Sequence, residues 1–246
     1  MTRPSFRLRK FSTNADAVAA VEFAIVVPFM LVLYVGGVEL SEGMAINVKV
    51  SATAHAVGDM VSQNTALNTA QMQNILTGAT AIIAPYPTVS VSGSTTTSLI
   101  TVTVSEISSD ASGNLTLQWS QSYNGSNFGP GRSSIGANAP YGALSVPSSL
   151  NGTAGNTNNT NSQNDQVSFI VSEVSYYFAP NLGGTLPGTI NGILTLSDNY
   201  WIYPRCSTDS PTNSTGPAYY DVKYGSTANP SNTWCTCTQH LQQKSC

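Results

Sequence analysis

The chain has 246 residues, a formal net charge of −3 and only 9% charged residues. Because soluble cytosolic proteins carry about 25% charged residues, this composition favours a secreted or surface-exposed, β-rich protein. The few Lys and Arg residues form no basic patch and no nucleic-acid-binding motif occurs, so we expect no nucleic-acid partner. The length allows one substantial domain with appendages.

A basic leader at residues 1–16 precedes an apolar segment from Ala17 to Val38. As a helix, this segment would be about 33 Å long at ~1.5 Å per residue, which matches the core of a bilayer. Four of the nine Lys and Arg residues precede residue 11, whereas ten of the twelve Asp and Glu residues follow Val38. The positive-inside rule therefore predicts a cytoplasmic N-terminus and a translocated remainder.

A cleaved secretory signal peptide is the alternative interpretation of this segment. Such peptides have an apolar core of about 7–15 residues, followed by a cleavage site of small residues. The segment is longer, and the following Glu39-Leu40-Ser41-Glu42 is a poor cleavage site. We therefore predict a retained transmembrane helix at residues 17–38.

Glu22 lies inside the apolar segment, near its N-terminal end. A carboxylate at the centre of a bilayer costs about 2.5–3.5 kcal/mol on insertion scales, so its presence needs an explanation. Two interpretations stay open. The side chain is near enough to the interface to remain hydrated, or it neutralises the free amine of a neighbouring subunit.

The remaining chain predicts an α+β protein. A stripe of Val50, Ala54, Val57 and Val61 predicts that helix continues in an extracytoplasmic helical region, residues 39–84. Within it, Asn68 followed by Gln71 marks the start of a second helix. Alternating apolar and polar residues then predict a small antiparallel β domain at residues 85–205, with four or five strands packing on the helix. A polar, low-complexity stretch predicts a flexible insertion at about 121–165.

The C-terminal tail, residues 206–246, contains every cysteine of the chain: Cys206, Cys235, Cys237 and Cys246. An even number of cysteines on the translocated side of a membrane indicates disulfides. Three pairings are open at this point. A zinc site is disfavoured because Cys235-Thr236-Cys237 has Cys-x-Cys spacing, whereas structural zinc sites have two to four intervening residues.

No pattern of catalytic residues is evident. His55 and His240 are the only histidines, and no nucleophile elbow, phosphate loop or dinucleotide-binding glycine motif occurs. Glu106 and Asp110 are expected to be a solvated pair beside a turn. We predict that the protein is not an enzyme and uses no metal or cofactor.

The N-terminal stretch Val18-Ala19-Ala20-Val21-Glu22-Phe23-Ala24-Ile25-Val26-Val27-Pro28 closely resembles the opening of TadE-like pseudopilins. These are minor subunits of the bacterial tight-adherence (Flp) pilus, a branch of the type IV pili. Three later stretches resemble the same family in the same order. They are His55–Gln63, Val171–Pro180, and Tyr200 with Tyr203-Pro204-Arg205.

The resemblance implies a pilin-like fold and a structural role in pilus assembly, adhesion and secretion-related processes. It implies cleavage by a prepilin peptidase between Ala17 and Val18, which would make Glu22 the fifth mature residue, followed by Phe23. The family has glycine where this chain has Ala17, so cleavage stays an open alternative. The implied partners are other pilin or pseudopilin subunits and inner-membrane assembly proteins.

The implied location is the bacterial inner membrane, crossed once, with the C-terminal domain in the periplasm or on a surface pilus. Two other functions stay open. A membrane-anchored binding module or adhesin outside a pilus would use the polar insertion and the cysteine tail to present a ligand surface. An anchored periplasmic enzyme would need a cluster of catalytic side chains in one pocket.

Overall fold

The computed structural model describes residues 15–109, 115–136, 143–144, 167–180, 192–207, 222–225, 235–237 and 240–244. Most of the basic leader, most of the polar insertion and much of the C-terminal tail lie outside these residues. Within them, the predicted combination of a long apolar N-terminal helix with antiparallel sheet is confirmed.

Helix α1 is continuous from Ala15–Ser62, 48 residues, and contains Pro28. At ~1.5 Å per residue it is about 70 Å long, more than twice the bilayer core. The predicted stripe of Val50, Ala54, Val57 and Val61 is fully buried against the domain. The N-terminal half of this helix is therefore exposed from Val18 to Val38, whereas its C-terminal half belongs to the core.

Helix α2, Thr69–Ala79, follows the two-residue strand β1, Ala66–Leu67. Its start is a capping box, as the residue pair at this position predicts. The Gln71 amide donates to Asn68 Oδ1 at 2.9 Å, and the Asn68 amide donates to Gln71 Oε1 at 3.0 Å. A 3-10 turn at Thr80–Ile83 ends the helical region.

Two hairpin strands, β2 (Val89–Ser92) and β3 (Thr95–Ser98), form a separate two-stranded sheet among the described residues. The main sheet has five antiparallel strands in the order β6-β5-β4-β7-β8. Their bounds are β4 Ile100–Ser109, β5 Leu115–Tyr123, β6 Phe128–Pro130, β7 Val167–Phe178 and β8 Leu194–Ile202. The two longest strands, β4 and β7, are adjacent at the centre.

The inner face of the sheet packs on α1 and α2 through alternate residues of β4 and β7, including Val102, Val104 and Val174. The outer face has its own smaller core of Ile107, Phe169 and Val171, with Trp201 packed against it. A register shift opposite Glu106 and Ile107 marks a bulge in β5, because these consecutive residues pair with Trp119 and Leu117 and leave Gln118 as the extra residue. Since neighbouring strand residues point to opposite faces, the bulge turns Leu117 and Leu115 to the outer face, whereas Trp119 packs on the inner core.

The start of the flexible insertion, predicted at about residue 121, was placed too early in the sequence. Strand β5 extends to Tyr123, and β6 pairs with it from Gln121↔Pro130 to Tyr123↔Phe128. The glycine and serine residues of this stretch have a low β-propensity and therefore suggested a loop. Hydrogen bonding to the neighbouring strand β5 nevertheless holds them in a strand. Arg132, also inside the predicted insertion, is buried.

The described part of the C-terminal tail has four short strands: β9 (Cys206–Ser207), β10 (Lys223–Tyr224), β11 (Cys235–Cys237) and β12 (His240–Lys244). Strand β10 runs parallel to β1. The other three form a separate sheet in the order β12-β11-β9. Val222, just before β10, is fully buried in the main core, so part of the tail completes the domain.

Candidate membrane and assembly site

The N-terminal half of α1 presents apolar side chains to its surroundings. Every residue from Val18 to Val38 is at least partly exposed, and Phe23, Phe29 and Leu33 expose about 70% of their surface (68%, 70% and 75%). The most apolar 18-residue window of the helix has a mean hydropathy of 2.4. By length and composition, this helix could cross a membrane.

The predicted processing and charge-pairing residues all lie on this exposed half. Ala17 and Val18 lie in the first turn of α1, and the side chains of Glu22 and Phe23 are exposed one turn later. Within the described part of the chain, the recorded ion pairs join other residues. The carboxylate of Glu22 is therefore positioned for something outside this domain, either solvent near a membrane surface or another subunit.

The helix enters the domain at Glu39, whose side chain is buried. On β7, Tyr176 donates a hydrogen bond from its hydroxyl to the Pro87 carbonyl at 3.0 Å. Burial raises the pKa of Tyr176 above 10.0, and the Glu42 carboxylate and the Tyr86 phenol raise it further. Burial also raises the pKa of Tyr203.

Lys49 fixes α1 to the end of the 3-10 turn. Its ammonium donates to the carbonyls of Ile82 at 3.1 Å and Ala84 at 2.6 Å. These carbonyls end a helical segment and have no continuing helix to satisfy them, so a cation is favourable here. The contact joins the buried half of α1 to the chain that leads into the β strands.

Two of the later stretches that resemble the family, His55–Gln63 and the residues from Tyr200 to Arg205, meet at the far end of α1. The rings of His55 and Tyr200 lie 3.9 Å apart between centroids, tilted by 34°. Gly58 lies under the same tyrosine, where a Cβ atom would be 2.7 Å from Tyr200 Cδ1. Asp59 accepts a hydrogen bond from Arg205 Nη2 at 2.9 Å. Residues about 145 positions apart thus lock α1 to β8.

A second polar group lies on the outer face of the sheet. Arg132 donates from Nε and Nη2 to the two carboxylate oxygens of Glu173, each at 2.5 Å. The side chain of Arg132 is 1% exposed and that of Glu173 is 18% exposed. This bidentate geometry ties the segment after β6 to the central strand β7.

Known proteins give no further guidance to this arrangement. No protein family, no curated protein and no solved structure matches the chain.

Among the residues that the structure describes, no group of three or more His, Cys, Asp or Glu side chains is placed to hold a metal ion. The backbones of Cys206, Cys235 and Cys237 lie in the tail sheet. Cys246 lies outside the described residues.

Glu106 corrects the expectation of a solvated pair, since its side chain is only 2% exposed. It accepts hydrogen bonds from Ser168 Oγ at 2.5 Å and from the Val222 amide at 3.0 Å. Trp119 Nε1 donates to the Val222 carbonyl at 2.7 Å, so both peptide groups of that residue are held. A signal was available: Glu106 continues the inward-facing alternation of Val102 and Val104. Asp110 lies outside the described residues.

Proposed function

We propose that the protein is a TadE-like minor pilin or pseudopilin, anchored in a membrane and acting structurally in the assembly of a tight-adherence pilus. The observation that carries this proposal is the division of α1. Its N-terminal half is exposed and apolar over a membrane length, and its C-terminal half is the central helix of an antiparallel β domain. A pilin-like subunit needs this combination of a free helix and a rigidly attached domain.

The proposed location is the bacterial inner membrane, crossed once, with the β domain in the periplasm or on a pilus. The charge asymmetry of the sequence supports this orientation. The position at which α1 enters the domain supports it as well, because burial begins at Glu39, immediately after the apolar segment. Different residues of α1 would therefore contact the bilayer and the β domain.

In this proposal, the helix from Val18 to Val38 packs among other pilin or pseudopilin helices. Glu22 then pairs with a neighbouring subunit's N-terminal amine, released by a prepilin peptidase cutting between Ala17 and Val18. Pairing in a helix bundle offsets much of the cost of a carboxylate in lipid. Inner-membrane assembly proteins are the other partners, and the chain needs neither catalysis nor a cofactor.

Cell fractionation tests the proposal against a stand-alone adhesin or a periplasmic enzyme. The full-length chain is expressed in its own host and followed in inner membranes and in sheared surface pili, with and without the pilus assembly genes. We expect its presence in pili or in complexes with assembly proteins to require those genes. An unchanged distribution in their absence would refute the pilus role and favour the adhesin.

The N-terminal residue of the isolated protein tests processing separately. A start at Val18 demonstrates peptidase cleavage, whereas a start at Met1 or Thr2 excludes it. An Ala17→Gly variant is the matched control, because it restores the residue that the family has before the cut. If the Ala17→Gly variant is cleaved and the wild type is not, the natural alanine prevents cleavage.

A further inference from the structure

The tail sheet distinguishes among the cysteine pairings that the sequence leaves open. Strand β11 runs antiparallel to β9, and its register sets Cys237 opposite Cys206 and Thr236 opposite Ser207. On its other side, β11 pairs with β12, where Cys235 lies opposite Lys244 and Cys237 opposite His240, with a register shift between the two cysteines. Of the two β11 cysteines, Cys237 is therefore the one that lies directly opposite Cys206.

The spacing of antiparallel strands makes Cys206 and Cys237 suitable for a bridge. Directly opposed residues have Cα atoms about 4.5–5.5 Å apart, and disulfides join Cα atoms about 4.4–6.8 Å apart. Cys235 is two residues along the strand from Cys237. With a rise of ~3.4 Å per residue, its Cα lies about 8 Å from that of Cys206. Beyond about 7 Å the backbone must move before a bridge can form.

We propose that Cys206 and Cys237 form a disulfide, which leaves Cys235 and Cys246 as the second pair. In each bond two thiols lose two protons and two electrons and one S–S bond forms. The oxidant is a thiol-oxidising protein disulfide of the extracytoplasmic compartment, which is reduced to a dithiol; in vitro, oxidised glutathione takes its place. This inference rests on the proposed function only for the oxidising compartment.

The bond would close a loop whose middle is already fixed in the domain. Val222 lies between the two cysteines in sequence, and Glu106 and Trp119 hold its amide and its carbonyl. Strand β10 adds pairing to β1 immediately afterwards. The disulfide would therefore join the two ends of a loop that the core holds at its centre, and its reduction should make trypsin cleavage within the loop faster.

Trypsin digestion without reduction tests the pairing in the wild-type, detergent-solubilised chain. The enzyme cuts after Arg205, Lys223 and Lys244 and so distributes the cysteines over three peptides, 206–223, 224–244 and 245–246. The proposed pairing joins all three into one species. A species joining only 206–223 to 245–246, with an internal bridge in 224–244, would overturn the proposal.

The three-peptide species also forms if Cys206 pairs with Cys235. Electron-transfer fragmentation between Cys235 and Cys237 separates the two cases, and we expect peptide 206–223 on Cys237. Attachment to Cys235 would overturn the proposal.

Two matched variants give an independent check. With Cys206→Ser, a thiol reagent applied before reduction should label Cys237. With Cys246→Ser, it should label Cys235. The reverse labelling, or labelling of Cys246 in the Cys206→Ser variant, would overturn the proposal.

The experiments can contradict the proposed location and the proposed disulfide pairing independently of each other. If the protein isolated from cells has four reactive thiols but oxidised glutathione forms the Cys206–Cys237 bond in vitro, the pairing is supported and the proposed extracytoplasmic location fails. If disulfides are present in cells with another pairing, the inference fails and the location is unaffected. Four reactive thiols in both preparations would overturn the pairing.

Discussion

Arg205 Nη2 lies 2.9 Å from Asp59 Oδ1, and the amide of Arg205 donates to the Ser62 carbonyl at 2.8 Å. These contacts join the chain after β8 to the last turn of α1. The two side chains are 38% and 43% exposed, so water screens their attraction. The pair therefore lies where the helix meets the chain after the sheet, but it contributes little to the free energy of unfolding.

The buried pair of Arg132 and Glu173 should contribute far more. Glu173→Gln removes the carboxylate that a buried guanidinium contacts through two hydrogen bonds, which should cost about 3 kcal/mol of unfolding free energy. Asp59→Asn makes the same chemical change at the exposed pair and should cost less than about 1 kcal/mol. Urea unfolding of the detergent-solubilised chain, followed by tryptophan fluorescence, measures both.

The salt dependence of the stability loss also distinguishes the two ion pairs. Raising the ionic strength should remove most of the Asp59→Asn effect and little of the Glu173→Gln effect, because buried charges are screened less. Equal losses for the two variants would contradict the assignment of Arg132 to the interior.

The contact of Gly58 with Tyr200 predicts a strong dependence on side-chain size. A Cβ at this position would lie 2.7 Å from Tyr200 Cδ1, so Gly58→Ala must displace the ring. Overpacking of this kind costs about 1–3 kcal/mol, which exceeds the gain in helix propensity of up to ~1 kcal/mol. We expect a net loss of stability in urea unfolding.

Gly78 is the matched control, since it lies in α2 with no atom within 4 Å of the added Cβ. Gly78→Ala should therefore gain about 0.5–1 kcal/mol. If Gly58→Ala were stabilising by the same amount, α1 and β8 would not be in close contact.

The raised pKa of Tyr176 predicts a loss of stability at alkaline pH. Between pH 10.0 and its raised pKa, the unfolded chain releases the phenol proton while the folded chain keeps it. The stabilisation is fully present below pH 10.0 and is lost as the pH rises through that window. Tyr203 contributes in the same direction.

Tyr176→Phe separates the charge effect from the hydrogen bond. The variant should lose about 1 kcal/mol at neutral pH, because the bond to Pro87 is gone. Above pH 10.0 its stability should fall less steeply than that of the wild type. Parallel curves of unfolding free energy against pH would show that Tyr176 is not the titrating group.

The hydrogen bond from Trp119 to the Val222 carbonyl predicts control over the tail. Trp119→Phe removes the donor at a cost of about 1 kcal/mol, which should make trypsin cleavage after Lys223 about fivefold faster. Trp201→Phe truncates an indole on the opposite face of the sheet and serves as the control. Equal cleavage rates in wild type and Trp119→Phe would mean that Val222 is held by other contacts.

Features determined by neighbouring residues could be predicted from the sequence. The capping box of Asn68 and Gln71 and the buried stripe from Val50 to Val61 depend on spacings of three or four residues. The central strand β4, Ile100–Ser109, was expected from the alternation of apolar and polar residues between Leu99 and Ile107. In each case the physical cause acts within one or two turns or along one strand.

Features that depend on distant partners could not be predicted in this way. The side chain of Arg132 is buried beside Glu173, which follows it by 41 residues in sequence. The residues next to Arg132 in the sequence are those of a polar loop and give no sign of this burial. Val222 lies in a polar tail and becomes core only when Glu106 and Trp119 bind its backbone. The meeting of Asp59 with Arg205 likewise follows from the topology.

The charge of Glu22 is the point at which the proposed function is most directly tested. A strain carries Glu22→Ala as its only copy of the protein, and Glu22→Asp as the control that keeps a carboxylate. With the variant present in membranes at the wild-type level, we expect surface pili and adhesion to be lost in Glu22→Ala and largely retained in Glu22→Asp. Unchanged pilus assembly and adhesion in the Glu22→Ala strain would contradict the proposed charge pairing between subunits.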